Sequence, residues 1–148
     1  MSEIRILWAG LTTDYFTVLN GVKQGAVISP ILFCTYIDDL LIGLSQSGVG
    51  CFIGFSFVGA LAYADDIVLI APSPLAMRIL LAICDAYAVE YDIVFNGSKS
   101  KFLVIVPAKH RSFYKDMCAY DFTISGNVIE NVNSYSHLGH IDRCLILH

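Results

Sequence analysis

Hydrophobic side chains recur at helical spacing in the stretch SPILFCTYIDDLLIGLSQSG, residues 29–48. Ser29 is a favourable N-cap, Pro30 is a favourable first helical residue, and Gly48 is a favourable terminator. The pattern predicts an amphipathic helix between these signals. Its predicted apolar stripe consists of Phe33, Tyr36, Ile37, Leu40, Leu41 and Leu44.

A second capped pattern follows in SPLAMRILLAICDAYAVEY, residues 73–91. Ser73 and Pro74 repeat the Ser-Pro start signal, and the apolar residues again recur every three or four positions. We therefore predict a second helix with one buried face. The predicted buried face consists of Ala76, Ile79, Leu80, Ile83 and Tyr87.

The remaining apolar runs are typical of strands. Residues 51–63 and 67–70 predict two buried strands joined by a tight turn. The stretch YDIVFNGSKS predicts a short strand that leads into an Asn-Gly turn, and residues 101–107 predict a strand that Pro107 ends. Together with the helices, these runs predict an α+β fold in which an antiparallel sheet packs against two helices.

The C-terminal part of the chain contains one further hairpin signal. Residues 108–120 are more polar and predict a loop or a short helix. After them, apolar and polar residues alternate on both sides of Ser125-Gly126-Asn127, which predicts a C-terminal hairpin.

The composition is unusually apolar, with 56% hydrophobic and only 15% charged residues. Either the chain inserts into a membrane, or much of its surface packs against partner material that is not in this sequence. As a helix, the apolar run of residues 49–64 would reach only about 24 Å, short of the roughly 30 Å hydrocarbon core. Membrane association is therefore the weaker alternative. The net charge of −4 also disfavours strong binding of nucleic acid by this chain alone.

The cysteines and the N-terminus favour an intracellular protein, located in the nucleus or the cytoplasm. The five cysteines are an odd number with irregular spacing and no Cys-x-x-Cys pair, so neither a zinc site nor a disulfide framework is indicated. The first residues, MSEIRILWAGLTTDY, lack the pattern of a signal peptide. We therefore expect reduced thiols and no secretion.

Two Tyr-x-Asp-Asp tetrads carry the candidate chemistry. In the first, Asp38 and Asp39 lie on the polar face of the predicted helix, and their side chains diverge by about 100°. That pair indicates a solvated helix face. In the second, Asp65 and Asp66 lie at the tip of the predicted hairpin, where two short carboxylates could bind a hard divalent cation such as Mg²⁺. An ordinary Asp-rich turn is the alternative for the second pair.

Four motifs in order, GVKQGAVISPILF, YADDIVLI, FNGSKSK and YSHLGH, strongly resemble the reverse transcriptases of non-LTR (LINE-like) retrotransposons. The resemblance extends from about residue 20 to residue 141. It implies a partial polymerase palm from a parent enzyme that catalyses RNA-directed DNA synthesis with two Mg²⁺ ions, for which Mn²⁺ can substitute. By this resemblance Asp65 and Asp66 are metal ligands, and Gln24, Gly25 and Tyr63 contact the template or the incoming nucleotide.

The resemblance implies three further roles and a set of partners. Asn96 and Lys99 match the family's Asn-x-x-Lys stretch, which makes Lys99 a candidate catalytic residue that assists pyrophosphate departure. Leu138 and Gly139 resemble the primer-grip hairpin. The implied partners of the parent enzyme are an RNA template, a DNA primer and deoxynucleoside triphosphates.

The chain also departs from the family pattern. The family needs a further aspartate several tens of residues before GVKQG, whereas Asp14 lies only seven residues before Gly21 and is interpreted as a loop residue. We divide the chain into a partial upstream loop or strand (1–20), a palm core (21–107), and a connector with the primer-grip-like hairpin that leads to an absent thumb (108–148).

Without that aspartate, the fingers and the thumb, the isolated chain is expected to be inactive and to bind nucleic acid weakly or not at all. Its uncovered apolar surface favours self-association. A non-catalytic remnant or binding module is the alternative function.

Overall fold

The structure, a computed structural model, describes residues 2–18, 29–105, 121–137 and 140–142. The chain divides into an N-terminal unit, Met1–Thr35, and a C-terminal unit, Tyr36–His148. The described helices are α1 (Ser29–Gln46) and α2 (Pro74–Tyr91). The described strands are β1 (Ser2–Ile4), β2 (Leu7–Trp8), β3 (Leu11–Thr12), β4 (Phe16–Val18), β5 (Phe52–Ile53), β6 (Ser56–Phe57), β7 (Ala60–Tyr63), β8 (Asp66–Leu69), β9 (Lys101–Phe102), β10 (Phe122–Ile124), β11 (Asn127–Asn131), β12 (Tyr135–His137) and β13 (His140–Asp142).

Within the N-terminal unit, β1 pairs with β4 and β2 pairs with β3, and both pairs are antiparallel and nested. Ala9 and Gly10 form the turn between β2 and β3, and both have positive φ angles, of 50° and 81°. Below this turn, the Thr13 amide donates to the Ile6 carbonyl, and the Ile6 amide donates to the Thr13 hydroxyl, each at 3.0 Å. Asp14 lies between β3 and β4, outside the strands, as predicted.

Helix α1 lies within the predicted segment, but its predicted buried stripe was wrong in part, since Tyr36 is exposed and Phe33 and Leu41 are only half-buried. Within the C-terminal unit, Ile37, Leu40 and Leu44 are buried, whereas Asp38 and Asp39 are exposed. The apolar spacing of three and four residues therefore placed one stripe of α1 in the core.

Helix α2 also begins where predicted, because the Ser73 hydroxyl accepts a hydrogen bond from the Ala76 amide at 3.2 Å. It ends at Asp92, which has a left-handed φ of 54°. The predicted buried face was wrong in part, since Ile79 is exposed and Ile83 is only half-buried. The buried residues are Ala76, Met77, Leu80, Leu81, Cys84, Tyr87 and Ala88, so the buried face is rotated by roughly 70° from the predicted one.

The single strand predicted for residues 51–63 is wrong. The segment forms the small hairpin β5–β6 and then the separate strand β7. Gly54 allows the chain to reverse, with a φ of +61°. Gly59 lies against the Phe57 ring so closely that an added Cβ would approach the ring to 2.5 Å. These glycines break the apolar run at positions that hydropathy alone does not reveal.

The remaining described strands form two further sheets. β10 and β11 make the predicted hairpin, and its turn residues Ser125 and Gly126 both have positive φ. β11 also pairs with β9, but in parallel, so the antiparallel prediction is wrong for this pair. A parallel pair is possible because a long connection separates β9 from β11. β12 and β13 form an antiparallel pair.

Two details of the sequence prediction near β9 also need correction. Residues 93–96 lie outside the strands, and β9 contains only Lys101–Phe102 within the predicted range 101–107. Part of that range, and all of the loop or helix predicted for residues 108–120, lie outside the described residues.

The part of the chain that the structure describes agrees with the predicted α+β class, with two helices and several small, mostly antiparallel sheets. No helix in the described ranges has both the length and the hydropathy needed to cross a bilayer. Among the described residues, Cys34, Cys51 and Cys84 carry free thiols; Cys84 is buried, Cys51 is half-buried and Cys34 is exposed.

Candidate active site

The second tetrad lies at the end of the β7–β8 hairpin. Tyr63, the last residue of β7, pairs with Asp66, the first residue of β8. Ala64 and Asp65 form the turn between them, and Ala64 has a φ of 52°. A left-handed alanine is uncommon, because its Cβ crowds the backbone in this region. Of the two adjacent aspartates, Asp65 therefore lies in the turn and Asp66 lies at the start of β8.

Side chains alternate between the two faces of this hairpin. On β8, Ile67 and Leu69 are buried, so Asp66 and Val68 point to the opposite face. Tyr63 pairs directly with Asp66 and therefore shares its face. The register thus directs the Asp66 carboxylate away from the core.

The exposure of the tetrad is suited to binding a ligand from solvent. Asp65 is exposed, Asp66 is half-buried, and the Tyr63 side chain is 65% exposed. Carboxylate oxygens are the preferred ligands of Mg²⁺, which is usually held by one or two protein carboxylates together with water and substrate phosphates. Among the described residues there is no group of three or more His, Cys, Asp or Glu that could hold a metal ion. Asp65 and Asp66 are two carboxylates of the type that such a site uses.

The first tetrad has a different environment. Its aspartates, Asp38 and Asp39, are exposed on α1, whereas the Tyr36 hydroxyl donates to the Tyr91 carbonyl on α2 at 2.6 Å. The Tyr87 hydroxyl donates in turn to the Tyr36 carbonyl. The rings of Tyr87 and Tyr91 stack, with centroids 4.2 Å apart. Burial, with a smaller effect of the neighbouring tyrosine and acidic groups, raises the pKa of Tyr87 to about 12. The first tetrad thus belongs to a helix–helix contact.

Lys99, the predicted catalytic lysine, lies on the turn before β9. Its amide donates to both the carbonyl and the side-chain oxygen of Asn96, at 3.1 Å in each case, and its side chain is exposed. The nearby Lys101 is engaged instead, because its ammonium group contacts the Glu130 carboxylate and the Ser98 carbonyl, both at 2.8 Å. Lys99 is therefore exposed to solvent, whereas the Lys101 ammonium group is held by two polar contacts.

Several predicted site residues lie outside the described ranges, namely Gln24, Gly25, Leu138 and Gly139. The backbone of β12 and β13 nevertheless pairs on either side of the last two, with His137 opposite His140. The sequence reasoning missed the side-chain role of Asn96 and the ion pair between Lys101 and Glu130. The Asn-Gly dipeptide was a signal for the Asn96 turn, whereas no local pattern indicated the ion pair.

Comparison with known proteins decides the family. The family model for reverse transcriptase (RNA-dependent DNA polymerase) matches residues 5–141. The chain belongs to the reverse transcriptase family. The match includes both Tyr-x-Asp-Asp tetrads and the Asn96–Lys99 turn.

The similar proteins are retrotransposon polyproteins, which confirms the non-LTR resemblance. The chain is 29% identical over 138 residues to the retrovirus-related Pol polyprotein from the type-1 retrotransposable element R2 of Popillia japonica, covering 90% of the chain and 22% of that protein. It is 30% identical over 124 residues to the corresponding R2 polyprotein of Nasonia vitripennis, covering 84% of the chain and 11% of that protein. A polyprotein from the type-2 element R2DM of Drosophila melanogaster is 40% identical over 72 residues, covering 49% of the chain and 7% of that protein. The reverse transcriptase chain therefore spans less than a quarter of the length of these relatives.

Proposed function

We propose that this reverse transcriptase segment supplies the Asp65 and Asp66 carboxylates for metal-dependent, template-directed DNA synthesis on RNA by a full-length retrotransposon protein. One observation carries the proposal: the β7–β8 turn places the adjacent residues Asp65 and Asp66 at the tip of the hairpin, where Asp65 is exposed and Asp66 is half-buried. The membership of the chain in the reverse transcriptase family supports the same assignment. In this proposal the β7–β8 hairpin is the catalytic hairpin of a polymerase palm.

The residues of the segment have distinct parts in this reaction. Divalent ions, Mg²⁺ or Mn²⁺ in its place, would activate the primer 3′ hydroxyl and stabilise the developing charge on the phosphates when bound by Asp65 and Asp66. The Tyr63 ring shares the face of Asp66 and presents an exposed surface to the nucleotide or the template. Lys99 carries an exposed ammonium group suited to donating a proton to the departing pyrophosphate.

The partners follow from the same assignment. We propose an RNA template, a DNA primer and deoxynucleoside triphosphates as ligands of the full-length protein, with Gln24 and Gly25 near the nucleotide and Leu138 and Gly139 in the primer grip. Residues 21–107 would form the palm core and residues 108–148 the connector with that grip. The net charge of −4 supports weak nucleic-acid binding by the 148-residue chain alone.

The two tetrads provide a matched test of the metal site. In a ¹⁵N-labelled chain titrated with MnCl₂, paramagnetic broadening should centre on the amides of residues 63–67. Asp65→Asn should weaken Mn²⁺ binding by about tenfold, because it removes one of the two charged ligands. The control Asp38→Asn/Asp39→Asn removes two charges from a helix face and should leave the affinity within about twofold. Equal losses in both variants would show non-specific charge attraction and would overturn the site.

Primer extension tests the activity itself, with a poly(rA) template, an oligo(dT) primer and Mg²⁺ or Mn²⁺. We expect no extension by the isolated 148-residue chain, because its net charge of −4 disfavours binding of the template and the primer. Extension that Asp65→Asn/Asp66→Asn abolishes would contradict that expectation. Absence of both extension and Mn²⁺ binding would favour the non-catalytic alternative.

Self-association remains a prediction, supported by large exposed apolar side chains such as Trp8, which is 80% exposed. Analytical ultracentrifugation of the 148-residue chain would test it. A monomer across the micromolar concentration range would contradict it.

A further inference from the structure

The turn that carries Lys99 is built around one side chain, that of Asn96. The Asn96 carbonyl accepts from the amides of Lys99 and Ser100, at 3.1 and 2.9 Å. Its side-chain oxygen accepts from the Lys99 amide at 3.1 Å and from the Ser98 hydroxyl at 2.7 Å. The Ser100 hydroxyl, on a fully buried residue, also donates to the Asn96 carbonyl at 3.0 Å. Asn96 therefore accepts hydrogen bonds from all three residues at positions 98–100.

The same turn rests directly on the β10–β11 hairpin. Gly97 is buried, and an added Cβ would lie 2.5 Å from the Cβ of Asn127. The Asn127 side chain donates to the Ser125 carbonyl at 3.0 Å, and the Ser125 amide donates to the Asp85 carboxylate of α2 at 2.7 Å. At Gly97 the turn therefore packs closely against the β10–β11 hairpin.

Lys101 supports the turn from the following strand. Its ammonium group lies between the Ser98 carbonyl and the Glu130 carboxylate, and its side chain is only 22% exposed. Lys99 and Lys101 are two positions apart, yet the Lys99 side chain is exposed. Lys101 therefore contacts the backbone of the turn, and Lys99 is exposed to solvent.

We propose that Asn96 and Lys101 are positioning residues that fix the Lys99 turn for the leaving pyrophosphate. The proposal rests on the proposed function and extends it to two further residues. As the primer 3′ hydroxyl gives up its proton to water and its oxygen forms a bond to the α-phosphorus, the bond from that phosphorus to the bridging pyrophosphate oxygen breaks. Lys99 then gives a proton to that oxygen and becomes a neutral amine. Asn96 and Lys101 contact only the turn, so they act by placing the Lys99 ammonium group.

The test is binding of inorganic pyrophosphate, with excess Mg²⁺, to the full 148-residue chain. The readouts are the dissociation constant and the NMR shift of the Lys99 ε-methylene group. Asn96→Ala should weaken binding about fivefold, because loss of a capping acceptor costs about 1 kcal/mol. Asn96→Ser offers a hydroxyl acceptor without adding charge and should restore the affinity to within about twofold.

Matched variants separate this role from general stability. Ser98→Ala removes one hydrogen bond to Asn96 but keeps the Lys99 amide bond, so binding should change by less than about twofold. Lys101→Met keeps much of the apolar stem and removes both polar contacts, so it should weaken binding about as much as Asn96→Ala. Thermal unfolding of every variant verifies that binding is measured on folded protein.

The outcomes distinguish this proposal from the one it rests on. If Lys99→Ala weakens binding but Asn96→Ala and Lys101→Met do not, the positioning role is wrong and the role of Lys99 stands. If Asn96→Ser binds as weakly as Asn96→Ala, the acceptor is not what matters and the positioning role is also wrong. If neither Lys99→Ala nor Asp65→Asn weakens binding, the proposed function itself fails.

Discussion

Asp85 should stabilise the C-terminal unit through one hydrogen bond, and the size of this effect follows from the structure. Its half-buried carboxylate accepts from the Ser125 amide at 2.7 Å, across forty residues of sequence. A hydrogen bond to a charged group contributes about 1.5–3 kcal/mol. In the interior of α2, alanine is a better helix former than aspartate by roughly 0.5 kcal/mol. Asp85→Ala should therefore lower the free energy of unfolding by about 1–2.5 kcal/mol.

The measurement is urea denaturation at pH 7, followed by circular dichroism. Asp38→Ala is the matched control, because Asp38 is an exposed aspartate inside α1 and carries the same gain in helix propensity. Asp85→Asn keeps an oxygen acceptor and should lose about half as much stability as Asp85→Ala. Equal unfolding free energies for Asp85→Ala and Asp38→Ala would refute the reasoning. Faster hydrogen exchange of the Lys99 amide in Asp85→Ala would link this bond to the candidate site.

Two further predictions concern single residues of the C-terminal unit. Ala64→Gly should raise the free energy of unfolding by about 0.5–1 kcal/mol, because glycine adopts the left-handed turn without Cβ strain; a less stable variant in urea denaturation would contradict the positive φ. Burial, with a smaller contribution from the Asp85 charge, raises the pKa of the Cys84 thiol from 9.0 to about 12. The folded protein therefore holds this proton more tightly than the unfolded chain, so the stability from Cys84 is complete below pH 9 and is lost as the pH rises to 12. Urea denaturation measured from pH 8 to 11 should therefore show a falling free energy of unfolding. This group lowers it by at most about 1.4 kcal/mol per pH unit, and Cys84→Ala should make the decline shallower.

The sequence predicted those features whose signals are local. The Ser73-Pro74 cap set the start of α2, and Ser125-Gly126 set a hairpin turn. The buried face of α2 was misassigned because apolar residues occur nearly all round this helix, so periodicity alone could not select one face. The strand predicted for residues 51–63 failed because a glycine reversal and a ring packed on Gly59 depend on three-dimensional contacts.

The candidate site was predictable to a similar extent. The apolar runs flanking Asp65 and Asp66 predicted a hairpin, and the helical spacing around Asp38 and Asp39 predicted a solvated face. The contacts that hold the Lys99 turn could not be predicted, because they join residues 29 to 40 positions apart: Lys101 with Glu130 and Asp85 with Ser125. Neither pair leaves a periodic pattern in the sequence.

Because side chains alternate between the two faces of β8, the strand should tolerate substitutions near the Tyr63–Asp66 segment better than changes in its length. Because successive side chains point to opposite faces, one residue inserted after Asp66 would move Ile67 and Leu69 from the core to the outer face. One residue deleted there would have the same effect on the hydrophobic positions that follow. Insertions and deletions at this point would therefore exchange the buried and exposed sides of the whole strand, whereas substitutions at Ala64 or Val68 would leave the parity of the strand intact.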